Sequence, residues 1–328
     1  MKIGFNTAAE SALGGSAEYL VELLARHVPQ HEYVRDSKQI GTVDIYHSTN
    51  YTIPLSVWLR GIPRVVTVRN LNFMRYPQMF SFFDRLFRLR AYRHSCRTAN
   101  CIITLNGKVK AEVEQFLHIE SRKIQVVTPL SSVPATSSMS GEECERVRRK
   151  YALPDHYFLM VGTVEPRHHM KQVLDALADE RHGELVICGR RTTYSDELLD
   201  YARKCSMAIH LNFIYELSPV DLPALFHLSQ GFVQIPDPQL EASVVPIIEA
   251  LRSGVPMVLS ETALHRETAD DAAVYVSQNS VPELVAALDH IIYDDEFRNG
   301  LIEKERQRAE LFSEFAVAQR LIDIYTSL

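Results

Sequence analysis

Apolar and polar positions along this chain follow two periods in turn. Short apolar runs bounded by Gly, Pro, Asn or Ser read as buried strands. Between them, apolar residues spaced three and four apart read as helices. In the first part, KIGFN, VDIYHS, PRVVTV, CIITL and IQVV are strand-like, while EYLVELLARHV, FFDRLFRLRAYRHSCRTA and KAEVEQFL are helix-like. Residues 129–143 (PLSSVPATSSMSGEE) interrupt the pattern with Ser, Thr, Pro and Gly, the composition of a linker. The pattern then restarts, with YFLMVG, ELVICG, IHLNF, FVQIP and VPMVLS as strands and VLDALAD, ELLDYARKC and DLPALFHLS as helices. The tail from Asp294 to Leu328 reads as helix throughout. Such alternation predicts an α/β fold with two doubly wound, Rossmann-like parallel sheets.

Composition narrows the function classes. A chain of 328 residues suits two α/β domains of ordinary size. The net charge of −6 gives no general affinity for nucleic acid, so no nucleic-acid partner is expected. No apolar run is long enough to span a bilayer. The start, MKIGFNTA, reads as a first strand and not as a signal peptide. Cys96, Cys101, Cys144, Cys188 and Cys205 lack metal-type spacing and read as reduced thiols, so a cytoplasmic setting is expected. No G-x-G-x-x-G follows a strand, which argues against a nicotinamide dehydrogenase.

The chemistry concentrates between Glu241 and Ser260 (EASVVPIIEALRSGVPMVLS). Glu241 and Glu249 are separated by seven residues. Pro246 suits the first turn of a helix, Gly254 its stop, and VPMVLS a buried strand. The first Glu would then lie in the loop at the helix mouth and the second inside the helix. Helix N-terminal amides there would receive phosphates.

That string resembles the signature of retaining nucleotide-sugar glycosyltransferases of the group 1, or family four, type with the GT-B architecture. The family pattern is E-G-F-G-L-P-x-x-E-A followed by a small residue, Gly and Pro-Val. Glu241, Pro246, Glu249-Ala250 and Gly254-Val255-Pro256 stand in register with it. Ala242 and Val244 replace its loop glycines. The resemblance implies two Rossmann-like domains facing a cleft, with a C-terminal helix crossing back to the first domain. On this chain it implies an acceptor domain over 1–135, a linker over 136–149, a donor domain over 150–310, and a returning helix over 311–328.

The resemblance also implies roles residue by residue. Gly162, Glu165, Pro166 and Arg167 match the family's G-x-x-E-P-R-K-N, with His168 and His169 where Lys and Asn are usual. Arg167 and His168 would hold the leaving diphosphate, His168 only when protonated, and Lys171 lies close enough to take its place. Glu241 would stabilise charge at the anomeric carbon, and Glu249 would receive the ribose hydroxyls. Val244 and Val245 would offer backbone amides to the diphosphate, and Leu217 and Tyr215 would pack around the nucleobase. Leu13 to Ala17 resembles the family's Gly-Gly loop, with Gly14 and Gly15 toward the diphosphate and Ser16 toward the acceptor. Arg69-Asn70 stand where the family has His-Asp, and His47 ends a strand on the same side. All three are acceptor-contact candidates, with a structural role equally open for His47.

The implied reaction is transfer of a hexosyl unit from a nucleoside-diphosphate sugar to a hydroxyl, with retention and without a metal or other cofactor. GDP-mannose is favoured over a UDP-sugar. The expected acceptor is a glycan or lipid-linked oligosaccharide of surface polysaccharide synthesis. Residues 80–97 carry Arg85, Arg88, Arg90, Arg93 and Arg97 beside apolar residues. Such a helix is a candidate for contact with the inner face of an anionic membrane, with a core helix bearing a solvated basic face as the equal alternative. Two other readings stay open: a degenerate relative that binds nucleotide or glycan, or partners an active transferase, without turnover, and a nucleotide-sugar epimerase.

Overall fold

A computed structural model of the chain describes residues 1–6, 17–35, 38–128, 140–178, 182–207, 210–237 and 243–328. The chain forms two compact units, Met1–Ser132 with Leu311–Leu328, and Val133–Glu310.

The first unit opens with β1 (Lys2–Phe5), α1 (Ala17–His27), β2 (Glu32–Val34), β3 (Ile45–Ser48), α2 (Leu55–Leu59), β4 (Arg64–Val68) and α3 (Asn72–Arg75). It continues with α4 (Phe82–Thr98), β5 (Cys101–Thr104), α5 (Gly107–Leu117) and β6 (Ile124–Val126). Its six strands lie in the order β2-β1-β3-β4-β5-β6, with every pairing parallel. Strands buried on both faces explain the unbroken apolar runs. Val66, Val68 and Ile102 meet Val109, Val113 and Leu117 of α5 in one core cluster.

The second unit begins with α6 (Gly141–Tyr151), β7 (Tyr157–Val161), α7 (Met170–Ala176), β8 (Glu184–Cys188), α8 (Thr193–Lys204) and β9 (Leu211–Ile214). It goes on through α9 (Leu222–Leu228), β10 (Gly231–Gln234), α10 (Val245–Ser253), β11 (Met257–Ser260), α11 (Ala263–Ala269) and β12 (Val274–Val276). It closes with α12 (Val281–Tyr293) and α13 (Asp295–Ala309). The strand order is β12-β11-β10-β7-β8-β9, again all parallel, the Rossmann order read from its far edge. The order reverses between β7 and β10, so the crevice at their C-terminal ends is the natural ligand site of this sheet. In the first sheet the reversal falls between β1 and β3.

Two boundaries differ from the sequence expectation. The stretch 136–149 is not all linker, because α6 occupies most of it. The Ser140 hydroxyl accepts from the Glu143 N–H, and the Glu143 carboxylate accepts from the Ser140 N–H at 2.9 Å. This capping box starts a helix inside a composition that otherwise reads as loop. The tail is not one helix either. A 3-10 turn at Glu310–Phe312 separates α13 from α14 (Glu314–Thr326), whose cap is the Ser313 side chain. The division between the two units falls within that turn, and α14 belongs to the first.

Candidate functional site

In the second unit, the loops after β7 and β10 bring together the two strings that carry the family resemblance. After β7 the chain turns through Gly162, whose N–H donates to the Cys188 carbonyl at 2.9 Å, and Val164, whose N–H donates to the Arg190 carbonyl at 3.1 Å. Gly189 permits this approach, since a Cβ there would lie 1.7 Å from the Gly162 carbonyl oxygen. Pro166–His168 form a 3-10 turn that ends on His169 at φ +50°. The Asp237 N–H, beyond β10, donates to the Arg167 carbonyl at 2.7 Å. Gln278 then ties both loops from the far side, reaching His169 Nε2 at 2.9 Å and the Pro236 carbonyl at 3.4 Å.

Arg167 is half-buried, and its Nε donates to Glu165 Oε2 at 2.6 Å. His168 is buried beneath the loop, with its Nε2 3.7 Å from where a Gly162 Cβ would stand. Burial, helped by the neighbouring Arg167 charge, lowers its pKa to about 4. The imidazole is therefore neutral near pH 7 in the ligand-free protein, so it does not supply the family lysine's charge. Lys171 faces α8 instead, its ammonium 5.5 Å and 5.3 Å from the ring centroids of Tyr194 and Tyr201.

On α10, Val244 is the buried N-cap residue, Val245 the first helical residue, and Pro246 sits in the first turn. Gly254 closes the helix at φ +60°, its N–H bonded to the Ala250 and Leu251 carbonyls. Gln234 Nε2, at the end of β10, reaches the Ser243 carbonyl at 3.5 Å and so steadies the helix mouth. Glu249 lies in the middle of α10 at 3% exposure, 3.9 Å from Arg252 Nη1. Glu241 and Ala242 lie outside the described residues, as do Gly14, Gly15 and Ser16.

Tyr215, past the end of β9, is exposed and stacks on Phe213 at 5.3 Å with the rings 14° apart. The Arg191 guanidinium lies 5.7 Å from the same ring. Leu217 is half-buried two residues on. Arg190 and Arg191 were missed in reading the sequence, although two cations directly after the strand ELVICG were a usable sign.

In the first unit the geometry favours the structural one of the two roles open for His47. His47 is wholly buried, its Nδ1 2.6 Å from Tyr325 Oη and its Nε2 2.7 Å from Thr67 Oγ1. Burial lowers its pKa to about 3. Both ring nitrogens are used in tying β3 to β4 and α14, which is a structural role for His47 in the ligand-free chain. Arg69 is half-buried just past β4, and the Oδ1 of exposed Asn70 accepts from the Asn72 N–H at 3.2 Å.

Comparison with known proteins agrees with this geometry. The family described as glycosyl transferases group 1 matches residues 144–308, half of the chain. The O-antigen chain mannosyltransferase B of Escherichia coli is 24% identical over 292 residues, covering 87% of this chain and 74% of that protein. The D-inositol 3-phosphate glycosyltransferase of Corynebacterium kroppenstedtii is 26% identical, covering 62% of this chain and 48% of its own. The structure of HepE from Anabaena in complex with UDP superposes over 100% of both chains with a TM-score of 0.76 at 14% identity. WaaG, a glycosyltransferase involved in lipopolysaccharide biosynthesis, aligns over 98% of this chain and 99% of its own with a TM-score of 0.65 at 15% identity. With two Rossmann-like units of the GT-B type and the family match spanning the β7–β10 crevice, this chain belongs to the group 1 glycosyl transferases.

Proposed function

We propose that this chain moves a mannose-type hexose from a nucleoside-diphosphate sugar, GDP-linked in preference to UDP-linked, to a hydroxyl of a glycan or lipid-linked acceptor, with retention and without a metal. The observation that carries this reading is the tie between the Arg167 loop and the segment leading into α10, at the point where the strand order reverses. A diphosphate docked there would meet the α10 amides at Val244 and Val245 and the guanidinium of Arg167. Tyr215, exposed beside Phe213 and Arg191, offers an aromatic surface for the nucleobase. Glu249 would take the ribose hydroxyls once the Arg252 side chain yields to the ligand. Glu241 would lie against the donor sugar, and the leaving phosphate would help deprotonate the acceptor hydroxyl. Arg69 and Asn70 would contact that acceptor. The relatives named as mannosyltransferases of O-antigen chains support the sugar and the pathway class.

The test is a thermal-shift panel of GDP, UDP, dTDP and their sugar conjugates on the wild type, on Arg167→Ala and on Glu249→Gln. A ligand that binds only the folded state raises the midpoint. A rise with one nucleotide, lost in Arg167→Ala, is expected; no rise with any nucleotide would remove the donor-site assignment. A specific observation also favours the reading as a binder without turnover: the residue at the usual lysine position is a neutral imidazole. Transfer of radiolabelled sugar from the donor that binds separates the two.

A further inference from the structure

The arginines of this chain are unevenly placed. Residues 55–98 hold nine arginines and a single acidic residue, Asp84, in a protein whose total charge is −6. The same stretch leaves Leu55, Trp58, Leu59, Phe82, Phe83 and Phe87 exposed, Phe83 at 80%. Hydrophobic side chains of this size are normally exposed one at a time, and a group of them marks an interaction surface.

These residues fall on two helices that share one groove. On α2, Leu55, Trp58 and Leu59 have the three-and-four spacing of one helix face. On α4, Phe83, Phe87, Arg90, His94 and Arg97 follow the same spacing, and all five are exposed. The groove between the helices is lined by Leu55 and Trp58 from one side and by Phe87, Ala91 and His94 from the other. The sequence suggested a single basic amphipathic helix over 80–97. The structure instead builds a composite face, apolar along α2 and the first half of α4, with Arg90 and Arg97 exposed further along α4.

We propose that this α2–α4 face seats on an anionic lipid bilayer. The aromatic and aliphatic side chains would enter the boundary between headgroups and acyl chains, and Arg90, Arg97 and exposed Arg60 would meet lipid phosphates. Charge selects this occupant over a second copy of the chain. A two-fold contact through this face would set arginines against arginines with only Asp84 to relieve them. No helix among the described residues is long and apolar enough to cross a membrane, so the contact proposed is peripheral.

Trp58 is the chain's single tryptophan and is half-exposed on this face, so its fluorescence reports directly on insertion. The full chain is mixed with vesicles of phosphatidylcholine alone or of phosphatidylcholine with phosphatidylglycerol, and sedimentation and Trp58 emission are recorded. A blue shift and co-sedimentation with the anionic vesicles are expected, weakening as salt is raised. Arg90→Glu with Arg97→Glu, and separately Phe83→Ser with Phe87→Ser, should each reduce the partition roughly tenfold. All four side chains are exposed, and unchanged melting temperatures would confirm folding. Equal partition to both vesicle types, or anionic binding indifferent to these variants, would overturn the proposal. So would absence of vesicle binding together with a dimer, seen by analytical ultracentrifugation, that the variants dissociate. The donor reading is tested separately: vesicle binding should survive Arg167→Ala, and the nucleotide thermal shift should survive the α4 variants.

Discussion

At His168 a family lysine is replaced by a side chain whose charge depends on its surroundings. Burial and Arg167 hold its pKa at about 4, so at neutral pH a diphosphate would meet a neutral ring beside the Arg167 guanidinium. Bound phosphates would draw a proton onto the ring. Nucleoside-diphosphate affinity, measured by calorimetry, should therefore rise as pH falls through the usual histidine range near ~6.5. His168→Lys should tighten binding roughly tenfold above that range and flatten the pH dependence. Weaker binding by the variant would make His168 a support for the Gly162 loop and not a phosphate ligand. His47 carries a second prediction, about stability. Its folded pKa of about 3 lies below the unfolded value, so the unfolded chain binds more protons between the two. Stability from keeping it neutral is whole above ~6.5 and is lost as pH falls toward the folded value, at roughly 1 kcal/mol per pH unit. Glu305, buried with its pKa raised well above normal, acts in the opposite direction. The comparison must therefore be between wild type and His47→Gln, whose urea-unfolding profile should be the shallower with falling pH. Parallel profiles would mean that His47 takes up its proton as readily in the folded protein as in the unfolded chain.

At the level of elements, legibility followed the strength of the local signal. The ten strand runs marked in the sequence are strands, and most are nearly continuous apolar runs, as strands buried on both faces are. Helix α10 was readable at both ends, since Pro246 and Gly254 carry backbone constraints that few other residues satisfy. Two three-residue strands, β2 and β12, fall outside those runs. Helix α6 was hidden by its own polarity: only Cys144 and Val147 are buried along it. Its capping box was the available clue, and Ser140→Ala should cost about 1 kcal/mol in a urea melt of the second unit. For the site, residue types and spacing pointed to the right loops but not to side-chain environments. Nothing in DIYHSTNY says that both nitrogens of His47 are taken, and one partner, Tyr325, is 278 residues away. Gly189 was likewise unmarked, because its need arises from the Gly162 carbonyl on a neighbouring loop. Gly189→Ala must push that carbonyl aside. The expected result is a lower melting temperature and a lost nucleotide shift; a lower melting temperature with the nucleotide shift intact would count against this loop as a donor contact.

For the whole molecule, the chain's last helix belongs with its first residues. In α14, Val317, Ala318, Leu321, Ile322, Ile324 and Tyr325 are buried, and the helix packs against α1. Glu314 bonds both Arg26 and His27 of α1, at 3.0 Å and 2.8 Å. Arg320 reaches Gln125 of β6 at 2.9 Å. Each large apolar side chain buried here contributes about 2 kcal/mol, so removing α14 takes away an amount comparable with the whole stability of an ordinary domain. Loss of Tyr325 would also leave His47 Nδ1 buried without its present partner. A chain ending before Ser313 should therefore lose the first unit selectively. Limited proteolysis should cut within residues 1–128 while 140–310 stays protected, and the shortened chain should still show the nucleotide thermal shift if the donor site lies in the second unit. Protection across both units would mean that α1 and the first sheet hold together without α14. Cleavage across both would mean that the second unit needs the first in order to fold.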